Sequence, residues 1–199
     1  ACGPAAASNS MEWLLTKNDK LKKKNTKQTH RQKMEELSGM MDRENDKGVT
    51  TTQLMRGKLA FIDKHKLPIK VKYQSHFIKK DSVKSPNKTY GHYAENKSDS
   101  AGKPPQWDWL LSEFQNGEDV EILFGWYDST GTRHGGHWVT ATGLSNVGTA
   151  KGLYFKDDLY QGADSGRRQK FVNWVKGKKG WSRLSGFKGP NRFCWVESV

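Results

Sequence analysis

The chain has 199 residues, enough for one domain or one two-lobed unit that buries a core without covalent staples. Two cysteines are too few for a disulfide scaffold, and no apolar run approaches the ~20 residues of a membrane-spanning helix. Thirty-four Lys and Arg against 21 Asp and Glu leave a net charge of +13, a field that favours anionic partners; 11% aromatic residues, 8 of them Trp, exclude a disordered basic chain.

The sequence opens Ala1-Cys2-Gly3-Pro4, with neither an initiator Met nor a signal peptide, and reads as a fragment or a mature product. Pro4 suits a first helical turn, where its missing N–H costs nothing. Ala5, Ala6, Ala7, Met11, Leu14 and Leu15 then supply apolar positions at helical spacing, before a run of lysines from Lys17 to Lys27. Gln32 to Arg43 reads as a second helix. Asp42, Glu44, Asp46 and Gly48 miss the calcium-loop pattern, because the Gly falls one place late and no closing Glu follows. Thr50 to Lys66 reads as a third helix with Leu54, Met55, Leu59 and Ile62 inward, ended by Pro68.

Beyond Pro68 the period changes. Ile69, Val71 and Tyr73 alternate with lysines, as in a half-buried strand. Residues 79–105 are rich in Lys, Ser, Asn, Gly and Pro and predict a long exposed loop. Trp107, Leu110, Leu111 and Phe114 predict a short amphipathic helix stopped by Asn116-Gly117. Val120, Ile122, Phe124 and Trp126 alternate again, and Trp138–Thr142, Leu153–Phe155, Phe171–Val175 and Phe193–Val196 read as further strands. The expected class is therefore α+β: a helical lobe over about 1–67 and a mainly antiparallel β lobe over about 68–199.

Three pieces carry candidate chemistry: Ala1-Cys2-Gly3-Pro4-Ala5-Ala6, Gly135-Gly136-His137-Trp138-Val139-Thr140 and Phe155-Lys156-Asp157-Asp158. A cysteine at a helix N-terminus meets free N–H groups and the positive end of the dipole, which favour a thiolate. His137 opens a strand behind a glycine pair, with room beside its ring. A carboxylate at the end of the next strand can accept a hydrogen bond from that ring and fix its tautomer.

These motifs, in this order, resemble those of papain-like cysteine peptidases, nearest to the bacterial C39-like group. Papain-type chains place the His about 130–150 residues after a near-N-terminal Cys; here the separation is 135, and Asp157 follows His137 by 20. The resemblance implies a papain-like two-lobed fold and a Cys2-His137-Asp157 triad that hydrolyses peptide bonds without metal or organic cofactor. The family's Asp-Pro pair is replaced by Asp157-Asp158. Strand alternation from a solvent-facing Lys156 turns Asp157 inward, which favours it over Asp158. The family's oxyanion Gln, a few residues before the Cys, has no counterpart here, since only Ala1 precedes Cys2; loss of one such donor can cost roughly 10²–10³ in rate.

The expected partner is a peptide or protein substrate, acidic ones included, and the expected setting is secreted or cell-surface in a bacterium. Two other readings stand beside this one. A peptidase-like module that binds without turnover is favoured by the missing Gln. A basic nucleic-acid-binding domain ranks last, because the basic residues are scattered and no recognised motif accompanies them. Cys194, between Phe193 and Trp195, reads as a core residue, and His134 as a loop residue near the cleft rather than a zinc ligand.

Overall fold

The computed structural model describes residues 2–17, 19–24, 27–45, 47–78, 82–84, 92–98, 104–156, 169–177, 180–185 and 193–199. Four helices come first: α1 (Cys2–Lys17), α2 (Asp19–Lys22), α3 (His30–Met40) and α4 (Thr51–Lys64). Helices α3 and α4 each start with a reciprocal capping box, Thr29 with Gln32 and Thr50 with Gln53. The expected inward residues of α4, Leu54, Met55, Leu59 and Ile62, are all buried. The helix ends at Lys64, before Pro68 can act as the stop, and Lys66 takes a left-handed φ of 49° on the way out.

Strands β1 (Val71–Tyr73), β2 (Ser82–Lys84) and β3 (Tyr93–Asn96) form a small sheet in the order β1-β3-β2, with β1 and β3 parallel. Strands β2 and β3 lie inside the segment read as a loop. Val83 and Ala94 are buried against the helices, so each strand contributes one apolar residue to a core, too little for a periodic signal.

Helix α5 (Trp107–Gln115) ends at Asn116 with Gly117 at φ 76°, a turn that needs glycine. Six antiparallel strands follow: β4 (Val120–Tyr127), β5 (Arg133–Val147), β6 (Ala150–Lys156), β7 (Gln169–Lys176), β8 (Ser182–Ser185) and β9 (Phe193–Ser198). Each pairs with the next, and β9 returns to pair with β4 from Leu123↔Ser198 to Tyr127↔Phe193, closing a six-stranded barrel. The class is α+β as expected. The papain-like two-lobed fold with an open antiparallel sheet lobe is not what forms: the sheet is closed. Register shifts at Leu123/Phe124, Trp126/Tyr127 and Ala141/Gly143 mark bulges, which bend strands and let a sheet curl onto itself. Strand β8, Ser-Arg-Leu-Ser, has one apolar residue and left no trace in the hydrophobic pattern.

Among the described residues there are two apolar cores. One gathers α1, α3, α4 and the small sheet. The other fills the barrel and takes Trp107 and Leu110 from α5, with the Trp107 ring 5.3 Å from that of Trp174. Strands β4 and β5 lie between them and are buried on both faces over residues 120–125 and 137–141. Leu123 and Trp138 join the helical core, while Ile122, Phe124 and Val139 join the barrel core. The chain end ties the halves together. Gln74 and Val199 exchange two backbone hydrogen bonds, His76 donates to the carbonyl of Glu197, and Ser198 Oγ lies 2.9 Å from Thr51 Oγ1 and 2.8 Å from Ser75 Oγ.

Candidate active site

Helix α1 lies along β5, and three contacts set its position. Thr140 Oγ1 donates to the carbonyl of Ala6 at 3.0 Å, in a buried contact. Trp138 packs beside Gly3 and donates its indole N–H to the carbonyl of Val49 at 3.1 Å. Gly3 is required by close approach, because a Cβ there would stand 2.1 Å from Val49 Cγ2. Together these contacts hold the 47–50 segment over the start of α1 and lay Cys2 against the glycine-rich start of β5.

Two of the three expected catalytic residues meet. Cys2, partly buried, is hydrogen-bonded to the His137 side chain and to the backbone N–H of Trp138. Burial is the largest single influence on the Cys2 thiol and pushes its pKa up. The hydrogen bond with His137, that with Trp138 and the charge of His137 together outweigh it, so the thiol ionises below its ordinary value. The position at the N-terminus of a 16-residue helix acts in the same direction. His137 is 2% exposed and pairs across the sheet with Phe124. The Phe124 ring stands edge-on to the imidazole at 5.5 Å, and Trp126 stacks at 6.3 Å with an interplanar angle of 15°. Aromatic walls thus restrict the ring and keep water from it. Asp157 and Asp158 lie outside the described residues; β6 is described as far as Lys156, opposite Thr140.

Cys2 and Trp138 border a cavity of roughly 650 Å³ between the two halves. Val49 and the first turn of α4 form one wall, Phe77 and Ile78 another, and Arg133 with Gly135-Gly136 a third. Trp138 is both a core residue and a cavity wall, at 3% exposure.

Sequence reading missed the charged wall. Arg133 donates through Nε and Nη2 to the two carboxylate oxygens of Glu197 at 2.6 and 2.8 Å, and Tyr127 Oη donates to the same carboxylate at 2.6 Å. Burial first, then the Glu197 charge, push the Tyr127 hydroxyl pKa up, so it stays a donor. The one legible sign was an acid at an inward position of an apolar strand, Val196-Glu197-Ser198; its partner lies 64 residues away. His134 is on β5 rather than in a loop, with Nε2 2.7 Å from Asp128 Oδ2. Among the described residues no three His, Cys, Asp or Glu side chains cluster as metal ligands. Cys194 lies in the barrel core, where burial and then the Glu197 charge push its thiol pKa up.

No family model, curated protein or solved structure matches the chain.

Proposed function

We propose that the protein is a thiol hydrolase of the cysteine-peptidase type, with Cys2 as nucleophile and His137 as its acid–base partner. The observation that carries this reading is the Cys2–His137 hydrogen bond at a helix N-terminus, beside a cavity large enough for a peptide segment. The barrel is no obstacle, because the reaction depends on the pair and its surroundings rather than on an open sheet.

In the first half-reaction the Cys2 thiolate attacks a peptide carbonyl carbon. The C–N bond breaks as the His137 imidazolium gives its proton to the leaving amine, and an acyl-thioester remains on Cys2. In the second, neutral His137 takes a proton from water, the resulting hydroxide attacks the thioester carbonyl, and the C–S bond breaks. The thiolate and imidazolium are thereby restored. The backbone N–H groups at the start of α1 have no partner within the helix and can donate to the oxyanion. Asp157 is proposed as the acceptor for the second ring N–H of His137, holding its tautomer.

Alkylation by iodoacetamide across about pH 5 to 9, resolved by peptide mass spectrometry, tests this reading. Fast labelling confined to Cys2, already present near pH 6 and shifted to higher pH by His137→Ala, is the expected result. Labelling that rises only near pH 8.5 and ignores His137 would reduce the site to an ordinary thiol and leave a binding module. Turnover of a fluorogenic peptide library by the wild type, absent in Cys2→Ala, completes the test.

A further inference from the structure

Strands β4 and β5 pair glycine to glycine at Gly125↔Gly136, directly next to the Phe124↔His137 pair. The two missing side chains leave a trough, and the Arg133–Glu197 ion pair occupies it. A Cβ on Gly136 would stand 2.3 Å from Arg133 Nη2, and one on Gly125 would stand 2.1 Å from Glu197 Oε1. The pleat puts this trough on the same face of the sheet as Leu123 and Trp138, the face that lines the cavity. The guanidinium thus lies against the backbone one residue before His137.

Its anchor is unusually complete. The Glu197 side chain is fully buried, takes Arg133 in a two-point grip and takes Tyr127 besides. Its own backbone is fixed by the bond from His76. A guanidinium has five N–H donors, and Glu197 uses one from Nε and one from Nη2. The Tyr127 hydroxyl oxygen accepts from the same guanidinium, and the donors that remain belong to a side chain that is 41% exposed and borders the cavity. No Asp or Glu is found among the described residues that line it. The first turn of α4, at Thr51 and Thr52, adds the positive end of a 14-residue helix.

We propose that Arg133 is a carboxylate-binding residue of the cleft, which selects substrates bearing a carboxylate close to the bond that is cut. A planar, preorganised fork bound from behind is suited to grip a second carboxylate from the front, at little cost in side-chain entropy. The group is either an Asp or Glu side chain or a chain-terminal carboxylate. The proposal deepens the peptidase reading and rests on it for turnover; the anion site itself does not.

The test therefore has two readouts. The first needs no turnover: the rates at which iodoacetate and iodoacetamide alkylate Cys2 are compared at one pH. The two reagents differ by a carboxylate, and their ratio cancels changes in thiol ionisation. In the wild type the ratio should exceed that of a free-thiol peptide. It should fall roughly tenfold in Arg133→Gln, as expected for one charge contact in a partly solvated cleft, and the difference should shrink in high salt. Arg133→Gln strands the buried Glu197 charge, so the double variant Arg133→Gln/Glu197→Gln serves if the single one does not fold. The second readout compares peptide pairs that carry Glu or Gln at each position, with free or amidated C-termini, for turnover by wild type and variant. A Glu preference lost in the variant identifies a side-chain carboxylate, and a free-terminus preference identifies a chain end. A ratio that ignores Arg133 overturns the proposal, as does equal turnover of every pair. A ratio that depends on Arg133 while no peptide is cut supports the anion site and removes the peptidase reading.

Discussion

The barrel has two unlike sides. Strands β4 and β5 are buried on both faces over residues 120–125 and 137–141, and polar contacts concentrate on this side: Cys2 with His137, Thr140 with the Ala6 carbonyl, Lys58 with Glu121, and Arg133 with Glu197. Strands β6 and β7 bury one face and give the other to solvent, where Tyr154 and Phe171 form an exposed cross-strand pair 4.7 Å apart. The two cysteines mark the same contrast. Cys2 sits where the halves meet and is drawn toward the thiolate; Cys194 sits inside the barrel and is held as a thiol. A buried polar group needs a partner, and only the side pressed against the helices can supply one from a second body.

The largest effect expected from breaking this contrast is on Cys2. His137→Ala should cut peptide turnover by roughly 10²–10⁴-fold, the usual scale for an acid–base partner. It should also carry the alkylation midpoint of Cys2 above that of an ordinary thiol, because burial, which pushes up, then acts with less opposition. In the wild type the folded thiol ionises below the unfolded one. Its ionisation therefore contributes stability that is complete above the unfolded value and is lost as pH falls through the folded value. Cys194 should stay unlabelled in both proteins until the fold is opened with denaturant.

Next comes the ion pair between α4 and β4. Lys58 Nζ lies 2.7 and 2.8 Å from the Glu121 oxygens, and both residues are buried. Lys58→Met leaves Glu121 without its cation and should cost about 3–5 kcal/mol in urea unfolding. Lys58 Nζ also lies 3.9 Å from Asp119 Oδ2, so Lys58→Met with Glu121→Leu should recover only part of that loss, and adding Asp119→Asn should recover more.

A smaller loss is expected where α1 is pinned to β5. Thr140→Val removes one buried hydrogen bond and should cost about 1 kcal/mol, with slower Cys2 labelling as the helix start loosens. The smallest belongs to the solvent side: Tyr154→Thr should cost about 0.5 kcal/mol and leave Cys2 labelling unchanged. Equal effects of the last two substitutions on Cys2 would show that the site does not depend on the helix-facing side in particular.

What could be read in advance was local. Pro4 in the first turn, the inward residues of α4, the stop at Asn116-Gly117 and the alternation of β4 are effects within a few residues, and each left its mark in the pattern. The Cys2 and His137 motifs were equally legible, since a thiol before a helix and an imidazole behind two glycines are short-range arrangements. The short strands β2, β3 and β8 were not, because each offers one buried apolar residue and takes its place from pairing.

By itself the sequence determined an α+β chain with a reactive-thiol motif at a helix start and a histidine at the start of an apolar strand. Only the tertiary structure decided that the sheet closes, that β9 returns beside β4, and that Arg133, Glu197 and Tyr127 meet at the cavity wall. Helical period and strand alternation are imposed by bonds between near neighbours, so they are written in every short window. Closure joins residues 66 to 75 positions apart, and the charged wall joins residues 64 and 70 apart. Their energy comes from burying those groups together, and no window of the sequence contains both partners.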